Sequence, residues 1–83
     1  MTLSELQINQ SAKIISVDGE ISLRCRLLDM GLIPKTVVKL EKLAPMGDPM
    51  QIKLRGYSLT LRKDDASLIK VELLEEKLWF LHW

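Results

Sequence analysis

A chain of 83 residues and 9.5 kDa makes one small domain, and 47% hydrophobic with 28% charged residues mark a folded globular chain rather than a disordered or collagen-like one. A domain of this size buries only about 60% of the surface its unfolded chain exposes, which leaves no room for a deep substrate cavity and favours a partner surface over an active site. The net charge of +1 hides a split: residues 1–23 carry −2, residues 24–63 set nine basic side chains against three acidic ones for +6, and residues 64–83 carry −3.

Thr2 followed by Glu5, with Leu3 and Leu6 as apolar partners, has the spacing of a capping box that opens one helical turn. After Asn9, residues 12–17 are short, β-branched and apolar on both faces, which predicts a strand buried on two sides and ended by Asp18-Gly19. Ser22 is placed to cap a helix over residues 23–30. Gly31 is placed to end it in the left-handed conformation, with Pro34 preventing continuation. On that helix Leu23, Leu27 and Met30 fall on one stripe, Cys25 and Leu28 on a second flank, and Arg26 and Asp29 form a narrow polar sector at ion-pair spacing.

From Thr36 the period changes to two. Val38 and Leu40 oppose Lys39 and Glu41, and Ile52 and Leu54 oppose Gln51, Lys53 and Arg55, as in half-buried strands. Between them Ala44-Pro45-Met46-Gly47-Asp48-Pro49 must be a loop, because its prolines and glycine do not fit a central strand. Arg55-Gly56 marks a tight turn, Leu59 and Leu61 a further strand, and Ile69, Val71 and Leu73 a last one after the break at residues 63–66. Five short strands and one helix favour a small barrel over the alternative, an α+β open sandwich.

Catalytic chemistry is not expected. The only His is His82 and the only Cys is Cys25, so neither a nucleophile–base pair nor a metal site follows from spacing, and no cofactor is expected. A single Cys also excludes an intramolecular disulfide and fits a reducing cytosol. No apolar run approaches the roughly 18 residues of a membrane span, and no basic stretch leads into an apolar core at the start, so the chain reads as neither exported nor membrane-spanning.

Taken in order, Arg26-Leu27-Leu28-Asp29-Met30-Gly31-Leu32-Ile33-Pro34, Ala44-Pro45-Met46-Gly47-Asp48-Pro49, Leu59-Thr60-Leu61-Arg62-Lys63 and Ile69-Lys70-Val71 resemble the FeoA family, small cytoplasmic proteins of bacterial ferrous iron uptake. The resemblance covers about residues 3–73. It implies a mainly β, SH3-like barrel of about five strands with an inserted short α-helix, acting without catalysis beside the FeoB transporter and its cytoplasmic GTPase domain. It leaves transition-metal binding open. Related domains form the C-terminal part of iron-dependent repressors of the DtxR type. Asn9 stands where the family usually has glycine, and Lys35 where it has the glycine of Pro-Gly. Lys35 in a left-handed turn costs about 1 kcal/mol, so a different turn type is expected there.

Two regions are then expected: a FeoA-like domain over residues 1–74 and an apolar extension over residues 75–83. Partner binding is assigned to the helix end, with Arg26, Asp29, Met30 and Leu32, and to the loop, with Pro45, Met46, Asp48 and Pro49. The extension holds three of the four aromatic residues, and Leu78, Trp79, Phe80, Leu81 and Trp83 ask for a covering surface. Their own barrel, a second copy giving a homodimer, and the transporter or membrane are the options; attachment to the membrane is otherwise expected only through the transporter. The basic middle segment raises a second reading, a nucleic-acid-binding or iron-repressor-linked module. It is weakened by the lack of a helix-turn-helix pattern and of a stacking ladder, so no nucleic-acid partner is expected.

Overall fold

The computed structural model describes residues 1–74. The expectations placed on Leu78, Trp79, Phe80, Leu81 and Trp83 lie outside the described residues. At the start of the chain the Glu5 carboxylate accepts from the Thr2 backbone N–H at 2.9 Å and from the Thr2 hydroxyl at 3.2 Å. This closes one 3₁₀ turn, Leu3–Glu5, whose Leu3 enters the core together with Leu6.

Five strands follow: β1 Ser11–Val17, β2 Val37–Leu43, β3 Met50–Leu54, β4 Tyr57–Leu61 and β5 Ile69–Leu73. They form one antiparallel sheet in the order β4-β3-β2-β1-β5, so β1 to β4 make a meander and β5 returns to lie beside β1. Inward residues alternate along each strand as a pleated sheet requires: Ala12 and Ile14, Val38 and Leu40, then Met50, Ile52 and Leu54, and Ile69 with Val71. Helix α1, Ile21–Asp29, joins β1 to β2, and a one-turn helix α2, Lys63–Ala66, joins β4 to β5.

Strand β1 corrects one expectation, since it is not buried on two faces. Ile14 pairs with Val71 and Ser16 with Lys70, so Ile15 is an extra residue in a β-bulge; it turns outward and is 48% exposed. The bulge resets the phase, which is why Val17 rather than Ser16 faces the core. A second bulge falls at Glu41, between the pairs Leu40–Ile52 and Lys42–Gln51.

Helix α1 begins two residues earlier than expected. Glu20 is its N-cap, no side chain caps it, and Ile21 points to solvent at 72% exposure, so the first turn does not share the apolar stripe. Its other end is as read. The Gly31 N–H donates to the Leu28 carbonyl at 2.9 Å and the Leu32 N–H to the Leu27 carbonyl at 3.2 Å. These are the two bonds of a Schellman motif, with Gly31 at φ 102° and the buried pair Leu27 and Leu32 supplying its apolar contact.

The turn at Lys35 is also corrected. The Thr36 N–H donates to the Ile33 carbonyl, Pro34 occupies the first central position, and Lys35 takes φ 74°, which is a type II turn in the left-handed conformation despite the lysine side chain. The Lys35 N–H donates to the Ile14 carbonyl at 2.7 Å, so a tertiary bond holds the costly conformation in place. Arg55 and Gly56 both have positive φ, as a two-residue hairpin between twisted strands demands, and the Arg55 guanidinium reaches the buried Thr36 hydroxyl at 2.9 Å.

Candidate partner-binding surface

The residues assigned to partner binding divide into two places. At the C-terminal end of α1, Arg26 and Asp29 are exposed and Met30 is half-buried against the core. Arg26 and Asp29 do not close the expected ion pair; among the described residues the closed pair is Lys70–Asp18, at 3.8 Å on the surface. Leu32 is fully buried at 0% exposure, so it cannot offer apolar area to a partner: its side chain fills the space behind the Schellman motif.

The helix end is fixed by a residue that the sequence reading passed over. The Tyr57 hydroxyl donates to the Met30 carbonyl at 2.6 Å, satisfying one of the carbonyls a helix leaves open at its C-terminus. Gly31 lies directly beneath that hydroxyl, where any Cβ would collide with it. A lone tyrosine at the start of a strand has no local pattern that reveals such a bond. Only the return of β4 alongside β3 brings it there.

The loop over residues 44–49 is held at its base and open at its tip. The Ala44 N–H donates to the Pro49 carbonyl at 3.0 Å and the Gly47 N–H to the Ala44 carbonyl at 2.7 Å. One Asp48 carboxylate oxygen accepts from the Lys63 backbone N–H at 2.9 Å, which caps the otherwise uncapped first turn of α2 and ties the loop to the segment that follows β4. Pro45 and Pro49 are exposed, and Met46 at the tip is 93% exposed. At the loop's root a shallow open depression of about 270 Å³ is lined by Lys42, Leu43, Ala44, Pro49, Gln51 and Thr60.

The fold does not bring these two places together. The loop precedes Met50 at the start of β3, whereas the helix end meets Leu54 and Tyr57 at the other end of the β3–β4 hairpin. Four residue steps at about 3.4 Å separate them by roughly 14 Å of strand.

Electrostatics on the outer sheet face centre on Glu41. Its Oε1 accepts from the Ser58 hydroxyl at 2.6 Å and from the Gln51 amide at 3.2 Å. The Ser58 bond first, then that of Gln51, with Lys53 and Lys42 nearby, hold its carboxyl below the usual range. The Thr2 backbone bond and then the Thr2 hydroxyl do the same for Glu5. Among the described residues no three His, Cys, Asp or Glu side chains gather in a metal-binding group, and Cys25 is exposed.

A five-stranded antiparallel sheet with a short helix set between its first two strands defines a small SH3-like domain. The chain matches the FeoA domain family over residues 1–73 and belongs to it. It is 36% identical over 74 residues to an Fe(2+) transport protein A/Fe(2+) transporter FeoB fusion protein of Porphyromonas gingivalis, a match that covers 89% of this chain and 9% of that relative's length. Its fold superimposes on a FeoA-like protein from Clostridium acetobutylicum at a TM-score of 0.84 and 43% identity, over 92% of this chain and 88% of that one. A Stenotrophomonas maltophilia FeoA complexed with zinc, described as an SH3 domain protein, matches at a TM-score of 0.76 and 28% identity over 87% and 89% of the two chains. The family is associated with ferrous iron transport.

Proposed function

We propose that this chain is a non-enzymatic cytoplasmic accessory of ferrous iron uptake that binds the GTPase domain of a FeoB-type transporter. The observation that carries the reading is the fusion: in the Porphyromonas gingivalis relative a segment 36% identical to this chain is part of the same polypeptide as a FeoB transporter. Covalent linkage holds two modules at millimolar effective concentration, which is useful where they must meet.

The contact is assigned to the β2–β3 loop. Met46 is a polarizable, unbranched side chain standing almost wholly in solvent on a loop pinned at its base, so burying it in a partner costs little loop ordering. Pro45 and Pro49 stiffen the same loop. Arg26, Asp29 and Met30 form a second contact some 14 Å along the sheet, reached only by a partner broad enough to span both ends of the β3–β4 hairpin. Leu32 drops out of the assignment.

An amide chemical-shift titration of the labelled chain with the isolated GTPase domain, with and without a GTP analogue, tests this. Shifts are expected at residues 44–49 first. Met46→Asp should weaken binding about tenfold, equivalent to ~1.4 kcal/mol, and change stability by less than about 0.5 kcal/mol. Unchanged affinity in that variant would show that the loop is not the contact.

A further inference from the structure

Strand β4, Tyr57–Leu61, lies at one end of the sheet and pairs with β3 alone among the described strands. The two-residue turn Arg55-Gly56 makes Leu54 and Tyr57 a hydrogen-bonded pair. Antiparallel pairs alternate, so Ile52–Leu59 and Met50–Leu61 are bonded as well, whereas Lys53–Ser58 and Gln51–Thr60 are not. The backbone N–H and C=O of Ser58 and of Thr60 therefore point away from β3. Neither residue has another backbone partner among the described residues, and both are exposed. Four strong hydrogen-bonding groups stand in a row along the outer side of the strand.

Exposed edges are normally blunted by charge, proline or a bulge. At the opposite end of the sheet β5 carries Lys70 and Glu72. Strand β4 has no such device: Tyr57-Ser58-Leu59-Thr60-Leu61 holds neither charge nor proline, and its pairing with β3 runs without a register shift. Its core-side row is also incompletely covered. Tyr57 is 43% exposed and Leu59 is only half-buried against the core, next to the buried Leu61.

We propose that β4 pairs antiparallel with β4 of a second copy of this chain, about a two-fold axis at Leu59. In that register the strand is complementary to itself. Ser58 meets Thr60 of the second copy, Thr60 meets its Ser58, and each pair exchanges two N–H···O=C bonds, so all four outward groups on each chain are satisfied. On the core side Leu59 meets Leu59 and Tyr57 meets Leu61, which continues the apolar row across the junction. A slip of one residue sets outward groups against ones already bonded to β3. A slip of two sets Leu61 opposite Arg55 or Tyr57 opposite Lys63. A charged extended peptide would find no countercharge on these five residues, whereas a second copy brings the same uncharged row. Five residues at about 3.4 Å give roughly 17 Å of contact, less than a stable interface needs, so a dissociation constant on the order of 0.1 mM is expected. The pairing uses the backbone of β4 and not the tip of the β2–β3 loop, so it stands or falls separately from the transporter contact proposed above.

The test uses the full chain with no other protein present. Sedimentation equilibrium between about 10 μM and 1 mM should show a reversible dimer, and amide exchange of Ser58 and Thr60 should slow about fivefold at the upper concentration. Thr60→Pro removes one outward N–H from each chain, and with it two of the four intermolecular bonds, while leaving the β3–β4 bonds in place; dimerisation should weaken at least tenfold. A second readout holds even where that proline lowers stability. In a Cys25→Ser background, Leu59→Cys puts two thiols on the axis at a Cα separation of about 4.5 Å, within disulfide range, so oxidised glutathione should link two chains at least tenfold faster than with Thr60→Cys. A chain that stays monomeric at about 1 mM overturns the proposal. So does a dimer that ignores Thr60→Pro and leaves Ser58 and Thr60 exchange unchanged, or one that links through Thr60→Cys as fast as through Leu59→Cys.

Discussion

The end of α1 and the loop between β2 and β3 are built from similar residues, glycine, proline and methionine, yet the fold uses them in opposite ways. At the helix end each group is held from several sides: Gly31 by its left-handed backbone and the hydroxyl above it, Met30 by Tyr57, Leu32 by the core. In the loop only the base is held, and Gly47 has open space around its α-carbon. Turn-forming composition therefore does not distinguish a joint from a displayed loop. What distinguishes them is whether a distant strand returns to cover the turn.

Alanine in the two glycine positions should separate these roles most strongly. Gly31→Ala adds the left-handed penalty of about 1–2 kcal/mol and displaces Tyr57 from its bond, for a total loss of about 2–4 kcal/mol in urea unfolding. Gly47→Ala, at φ 83° with no neighbour to strike, should lose only about 1 kcal/mol. Equal losses would show that the helix end is no more constrained than the loop. A smaller effect sharpens the same contrast just beyond the helix. Lys35→Gly relieves a left-handed lysine but adds unfolded-state freedom, so a net gain of about 0.5–1 kcal/mol is expected by the same assay. A loss would place the value of Lys35 in its side chain.

The smallest effect belongs to the exposed carboxylates. Glu5 and Glu41 both have pKa values lowered in the folded chain from the ordinary 4.5. The folded state therefore binds fewer protons than the unfolded one, and the stabilisation is complete above 4.5 and lost as pH falls through the lowered values. Replacing both with Gln should flatten the acid limb of the stability curve slightly, by lowering stability a little at neutral pH while leaving it nearly unchanged below the lowered values. An unaltered acid limb would show that the bonds from Thr2, Ser58 and Gln51 are not populated in solution.

Much of the fold is legible in the alternation of Val38, Leu40, Ile52 and Leu54 and in the placement of Gly31. These signals are local and survive in any context. The bulges at Ile15 and Glu41 are not local, because an extra residue is defined only by the strand opposite it. The true start of α1 escaped because Ile21 is apolar yet exposed, and α2 because four residues are too few to show a period. For the candidate surface, exposure at Pro45, Met46 and Asp48 agrees with a turn-rich loop. The burial of Leu32, the part played by Tyr57 and the separation of loop from helix end depend on which end of β3 each element reaches. The basic excess of the middle segment was visible as a count, but its concentration at Lys39 and Lys53 is a matter of register.

The first two residues shape how the sheet meets other sheets. The Met1 carbonyl accepts from the Val71 N–H at 2.9 Å and Thr2 bridges to Lys70, so the chain's own beginning lies along the outer side of β5. Among the described strands this leaves β4 with the unpaired edge. A sheet with one open edge that meets a copy of itself pairs once and stops, whereas a sheet open on both sides adds copies without limit. Two residues at the start of the chain thus close part of the β5 side of the sheet to pairing with a further strand.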